Sequence, residues 1–366
     1  MVNRITIIIP TYERPQFIKR ALYYWSAYPV NVIVIDGSRA PSVNADDFIL
    51  PINVQYYHLP ISIEERFSFA ASKISGEYAA LISDDEFLSY SALKDATNIL
   101  DNDEDVSAVL GVTIGFNKVK KQFLCSMLYQ SAEHLDITGQ TAKIRINQRI
   151  RVAENSIFYP LVRVEVLKIA LKFIGEYHYS CPYVAEYQME AILCAAGAVK
   201  VMPALMWFRS FEVSMISNDQ HNRAILFSKW LNDPKNVEDL EKLKLSATEY
   251  FSKLSKYDKS LDGSQFVNFF EKFEKMALKS RANPSKIKRF YTLIPENLKT
   301  VIRPLIHFLI GKSPSALLPL SRFLDDLKTT NIRFDPGEIN RIQNIVLNNM
   351  NLTSASKLNE SIPYVN

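Results

Sequence analysis

Apolar residues fall in short blocks through the first two hundred positions and at helical spacing thereafter. Ile5, Ile7, Ile8 and Ile9 form a block stopped by Pro10, too short for a secretory core or a membrane span. Residues 11–27 read as a loop and then a helix, with Phe17, Ala21, Leu22 and Trp25 at helical spacing. Residues 31–35 form a second strand ending in Asp36, Gly37 and Ser38, and residues 54–58 a third. Ser62 with Glu65 three positions on marks a helix start. The run 78–87 then predicts a strand ending in Asp84, Asp85 and Glu86.

Further along, residues 106–114 predict a strand, 118–121 a solvated turn, and 130–155 a long loop, since apolar runs are few there. An amphipathic helix follows Phe158 and runs through Leu171. A second covers 184–193, with Glu186 and Glu190 one turn apart and Gly197 closing it. Residues 199–206 are another strand. From about residue 216 the pattern is helical, over 222–231, 237–254 and 265–279.

Strands alternating with helices predict an α/β fold with a mostly parallel sheet and right-handed crossovers. Ligands bind such sheets outside the carboxyl ends of the strands. Pro10, Thr11 and Tyr12, then Asp36, then Asp84, Asp85 and Glu86 all lie there, so three segments are expected to meet at one crevice. Three adjacent carboxylates repel one another unless a cation sits among them, which points to a divalent metal and an enzyme handling phosphates. Taken alone, the acids would equally suit a helix start before Phe87 and Leu88.

With 366 residues and 48% hydrophobic content, the chain can bury one large core and a smaller one. Cys125, Cys181 and Cys194 are odd in number and lack zinc spacing, so a reducing, cytoplasmic setting is expected. The five histidines show no metal-ligand spacing. Between 279 and 312 lie eight Lys or Arg and one acid, Glu296, beside apolar helix faces. Such a stripe can rest on anionic lipid at the inner face of a membrane, or serve core packing or self-association. A net charge of +4 without an aromatic-basic groove excludes nucleic acid as the expected partner.

The series Ile9-Pro10-Thr11-Tyr12-Glu13-Arg14, then Val34-Ile35-Asp36-Gly37-Ser38, then Gly76-Glu77-Tyr78 and an apolar strand into Asp84-Asp85-Glu86 resembles glycosyltransferase family 2. The likeness covers roughly residues 3–210. It implies the GT-A fold and a catalytic domain over 1–215; the helical pattern beyond it predicts a C-terminal extension over 216–350, and the Asn- and Ser-rich end a loose tail over 351–366. It also implies a nucleotide-sugar donor, commonly a UDP-sugar, and Mn²⁺ or Mg²⁺ bridging its diphosphate to the acids. Carried over by position, Tyr12 stacks on the base among Pro10, Thr11 and Glu13, and Asp36 accepts a base or ribose hydrogen. Arg66 lies near the diphosphate, Asp84 on the nucleotide side, and Asp85 and Glu86 hold the metal. Glu86 stands where many relatives have a third Asp.

The resemblance further makes Glu186 the general base of an inverting transfer, with Tyr187 replacing the usual second acid and Glu190 as the competing base. Where relatives carry a His after the last strand, this chain has Arg209, expected to neutralise the departing nucleotide. The expectation is a metal-dependent glycosyltransferase acting on a glycan or lipid-linked glycan in cell-surface polysaccharide synthesis. A sugar-nucleotide nucleotidyltransferase is the first alternative, although residues 10–14 lack the Gly-rich loop it would need. A non-catalytic interaction protein is the second.

Overall fold

The computed structural model describes residues 3–44, 48–128, 137–151, 157–212, 227–254, 261–282 and 317–348. Strand β1 (Ile5–Thr11) lies between β2 (Asn31–Asp36) and β4 (Tyr78–Leu81), and β3 (Val54–His58) flanks β2, all parallel. The predicted elements are observed here, and the interior of β1, β2 and β4 is buried on both faces, as a helix-covered parallel sheet requires. Helix α2 (Ile63–Lys73) begins with the expected capping box between Ser62 and Glu65.

Side chains alternate across the sheet with period two. Ile8, Ile33 and Ile35 join one core, whereas Ile7, Ile9, Val32 and Val34 join the other. The first core is covered by α2, α4 (Ala142–Arg151), α5 (Val164–Ile174) and α6 (Tyr183–Ala196). The second is covered by α1 (Pro15–Trp25) and α3 (Tyr90–Asn102). The C-terminal helices divide between them. Helices α7 (Phe227–Leu231), α8 (Val237–Ser252) and α9 (Gly263–Ala282) extend the first core; α10 (Leu320–Lys328) and α11 (Pro336–Asn348) close the second.

Beyond β4 the sheet is mixed. β8 (Leu161–Arg163) pairs antiparallel with β4 and with β6 (Val106–Val119). β6 outruns its predicted end at 114 because its second half pairs with β7 (Gln122–Leu128), a strand the sequence reading did not find. Of the solvated turn expected at 118–121 only 120–121 form the hairpin tip, with Lys120 at φ 56°; Lys118 and Val119 belong to β6, and Lys118 Nζ donates to the carbonyls of Val346 and Leu347. β10 (Leu318–Pro319) adds to β7.

Two expectations are corrected. The single strand over 78–87 breaks after Leu81, and the acids occupy a turn before a short β5 (Phe87–Leu88). The long loop over 130–155 contains α4, whose Arg145 is buried and donates to the carbonyls of Cys194 at 2.6 Å and Ala195 at 2.9 Å. That helix is polar in composition and owes its place to tertiary contacts, which apolar periodicity does not register. The tail beyond residue 348, and all but the first residues of the basic stretch 279–312, lie outside the described residues. Among the described residues no helix is long and apolar enough to cross a membrane.

Candidate active site

The floor of the site is the turn between β4 and β5. Thr11, at the end of β1, donates its hydroxyl to Asp84 Oδ2 at 2.6 Å, tying the ends of β1 and β4 together. Ser83 Oγ donates to Asp85 Oδ1 at 2.8 Å. Glu86 Oε2 accepts the Trp207 indole N–H at 2.9 Å. That contact follows from register: β9 (Ala198–Ser210) runs beside β6 and pairs with β5, setting Trp207 opposite Leu88 and Phe208 opposite Phe87. The longer β9 therefore carries Trp207 and Arg209 to the acidic turn.

Arg14 supplies the cation at this floor. Its Nη1 lies 3.1 Å from Asp84 Oδ1 and its Nη2 2.5 Å from Asp85 Oδ2. Arg20 donates to the Asp85 carbonyl at 2.9 Å and pairs with Glu212 at 2.6 Å. Both guanidinium groups lie against Phe17, 4.6 and 4.8 Å from its centroid. Burial pushes the Asp84 pKa up to about 6, against the pull of Arg14 and Thr11. Burial also pushes Glu86 up to about 8, with Asp85 adding to the rise and Trp207 and Arg209 opposing it.

The donor-side residues take different places. Tyr12 is 48% exposed at the end of β1, a ring free to act as a stacking platform. Glu13, with φ 53°, fastens the β1 and β2 ends together: its N–H donates to Ser38 Oγ at 2.7 Å, and its Oε1 accepts the Arg39 N–H at 3.0 Å. Asp36 is fully buried and accepts the N–H groups of Ser38 and Ser42 at 2.8 and 2.7 Å and the Tyr56 hydroxyl. Burial would raise its pKa, but these hydrogen bonds outweigh it and hold the carboxyl below its usual range. Asp36 thus shapes the loop beneath the crevice.

Arg66, expected beside a diphosphate, is buried with Nη1 donating to the carbonyls of Thr11 at 2.9 Å and Ile35 at 3.0 Å. Its guanidinium lies under Gly37, where a Cβ would come within 2.4 Å of Cζ, so glycine is required there for close approach. Arg66 pins two strand ends, while Arg14, carried by the same Pro-Thr-Tyr-Glu-Arg motif but given no role by sequence, holds the acids.

Glu186 lies in the first turn of α6. Glu186 opens to solvent while protein crowds it from behind. That desolvation, with Glu190 adding, pushes its pKa up to about 7, against Arg209 and Arg149. Arg209 therefore acts on Glu86 and Glu186 together, and its Cζ lies 5.7 Å from the Trp207 ring centroid. Glu190 is buried and paired with Arg149 at 2.8 Å, so it is spoken for within the core. Tyr187 stacks on Phe270 of α9 at 4.5 Å. Tyr159 escaped the sequence reading. Its ring meets Trp207 edge-on at 4.9 Å, and burial together with Glu86, Glu186 and Asp85 lifts its phenol well above the ordinary range. No periodicity marks such a residue, because it sits in a connection.

Among the described residues, no group of three or more His, Cys, Asp or Glu is arranged to hold a metal ion. The donor set still fits a hard cation, because Mg²⁺ typically takes one or two carboxylates and completes its shell with substrate phosphates. Asp84 Oδ1, buried and without a hydrogen bond, and Asp85 Oδ2 are the oxygens suited to it.

Comparison with known proteins gives a consistent result for the first half. Residues 6–164 match the family described as Glycosyl transferase family 2. The match ends before Glu186 and Arg209. No curated protein matches the sequence. Among solved structures, the chain is similar to residues 1–349 of TarS from S. aureus, at 15% identity and TM-score 0.49, covering 84% of this chain and 87% of that one. The same fragment in complex with UDP-GlcNAc gives 16%, 0.48, 84% and 87%. Its complex with UDP gives 15%, 0.46, 82% and 79%.

Proposed function

Residues 6–164 being a glycosyltransferase family 2 domain in a GT-A fold, we propose that this glycosyltransferase moves a sugar from a nucleotide donor, a UDP-sugar first, to a glycan hydroxyl with inversion. The observation that supports the proposal is that an acidic turn paired with Arg14 and the Glu186 carboxylate both feel the charge of Arg209. A carboxylate with a pKa near 7 is matched to proton transfer at neutral pH.

In this reading Tyr12 stacks on the base. Glu186 takes the proton from the acceptor hydroxyl as its oxygen attacks the anomeric carbon, and the bond from that carbon to the diphosphate oxygen breaks. Arg14 and Arg209 hold the charge that develops on the departing diphosphate, through forks suited to phosphate oxygens. Asp85, with Asp84, would hold Mn²⁺ or Mg²⁺, which when bound neutralises diphosphate charge. Glu86, held by Trp207, keeps the turn in shape. The acceptor is a glycan or lipid-linked glycan, and the basic stretch 279–312 is the segment to test for contact with anionic lipid.

The test is a panel of nucleotide sugars assayed for release of nucleoside diphosphate, with and without EDTA. UDP should be released from a UDP-sugar only with Mn²⁺ or Mg²⁺ present. Asp85→Ala should lower turnover at least hundredfold in a variant that still melts cooperatively, since the lost pair with Arg14 is offset in part by relief of the repulsion with Asp84. Full turnover in EDTA would refute the metal assignment, and no diphosphate release from any donor would refute the donor class.

A further inference from the structure

We infer that Arg14 is a displaceable counter-ion: its guanidinium neutralises Asp84 and Asp85 in the free protein and turns to the diphosphate when a nucleotide donor arrives. The inference rests on the donor reading above and adds a specific residue and an order to it.

The geometry supports this in three ways. First, the fork spans two different carboxylates, with one Nη at 3.1 Å from Asp84 and the other at 2.5 Å from Asp85, so it occupies the oxygens a divalent cation would need. Secondly, Arg14 is reachable and only partly committed. Its side chain is 21% exposed, and its buried Nε has no hydrogen-bond partner. Arg66 differs, being spent on two strand-end carbonyls, and so does Arg20, engaged with Glu212 and the Asp85 carbonyl. Thirdly, its backbone is fixed while its side chain has a surface to pivot on. The positive φ of Glu13, held by Ser38 and Arg39, places Arg14 as the residue capping α1, and the guanidinium lies 4.6 Å from the Phe17 centroid.

One guanidinium against two carboxylates leaves the floor of the crevice with a net negative charge. A divalent cation neutralises it fully but must displace the arginine. A diphosphate offers that arginine a partner of greater charge and matching bidentate geometry. Cation and nucleotide therefore favour each other's binding, and by linkage the coupling acts equally in both directions. Without nucleotide, Arg14 opposes the metal; without metal, it still recruits the nucleotide.

The experiment measures Mn²⁺ binding to the full chain by the electron paramagnetic resonance of free Mn²⁺, without nucleotide. It also measures UDP binding in EDTA by calorimetry, for the wild type, Arg14→Gln and Arg14→Lys, each checked for a native melt. Arg14→Gln should bind Mn²⁺ at least tenfold more tightly than wild type and UDP in EDTA at least tenfold more weakly. Arg14→Lys, which keeps the charge but loses the fork, should lose at least fivefold in UDP affinity. Unchanged Mn²⁺ affinity in Arg14→Gln overturns the counter-ion assignment. Should that variant not fold, unchanged UDP affinity in Arg14→Lys does so. If the wild type takes up no UDP with or without Mn²⁺, the donor reading fails instead, and the Mn²⁺ arm still decides the role of Arg14 at the acids.

Discussion

Two glutamates one helical turn apart on α6 differ in burial, and the proposed base is the exposed one. Glu190 lies in the core against Arg149, whereas Glu186 is exposed and has a pKa near 7. As the base, Glu186 must be ionised. Turnover should therefore rise tenfold per pH unit below about 7 and level off above it, and Glu186→Gln should lower kcat at least hundredfold with nucleotide affinity barely changed. A pH profile of kcat for both proteins checks this, since the variant should lack the acid limb. Glu190→Gln should act on the fold, destabilising by about 3 kcal/mol because Arg149 is left buried without its counter-charge; a urea melt measures it. At this scale the sequence indicated the pair of acids and their spacing. The resemblance favoured Glu186, but the pattern did not show that Glu190 is paired in the core, because Arg149 comes from α4, in a segment whose pattern read as loop.

Among elements, the contacts far apart in sequence are the ones that shape the site. Glu338 on α11 accepts from the Ser91 N–H at 2.9 Å, from the Ser91 hydroxyl at 3.0 Å and from the hydroxyl of Ser89, the N-cap of α3. A C-terminal helix thus caps a helix nearly 250 residues earlier, directly after the acidic turn and β5. Glu338→Ala leaves the Ser91 N–H without its acceptor and the Ser89 and Ser91 hydroxyls with only each other, and should destabilise by about 2 kcal/mol, whereas Glu338→Gln should recover part of the loss; equilibrium unfolding of both separates the effects. The capping box at Ser62 and Glu65 was legible because its partners are three residues apart. Glu338 gave no such signal.

For the whole molecule, the division of the C-terminal helices over both faces of the sheet makes them part of the two cores. Phe270 of α9 stacks on Tyr187 of α6, three residues before Glu190 and next to Glu186 in sequence. Phe270→Ala should cost about 3–5 kcal/mol and lower the melting temperature of the whole in one transition. A calorimetric scan showing two transitions, with the first alone affected, would contradict a shared core. In the same packing Tyr187 supports the helix that carries Glu186.

By itself the sequence determined β1, α1, β2, β3, α2 and the start of β4 and the strand ends at which ligands gather, and it nominated the acids, Tyr12 and Glu186 as site candidates. It could do so because these depend on local period, capping and the chemistry of adjacent side chains. Tertiary structure alone decided that Arg66 turns inward under Gly37 while Arg14 faces the acids, and that Glu86 is held by Trp207. It also decided that Tyr159 joins them. Each of these follows from the pairing of β5 with β9 or from the convergence of the β1, β2 and β4 ends. Charge and hydrogen bonding at short range depend on distance in space, and distance along the chain carries almost none of that information.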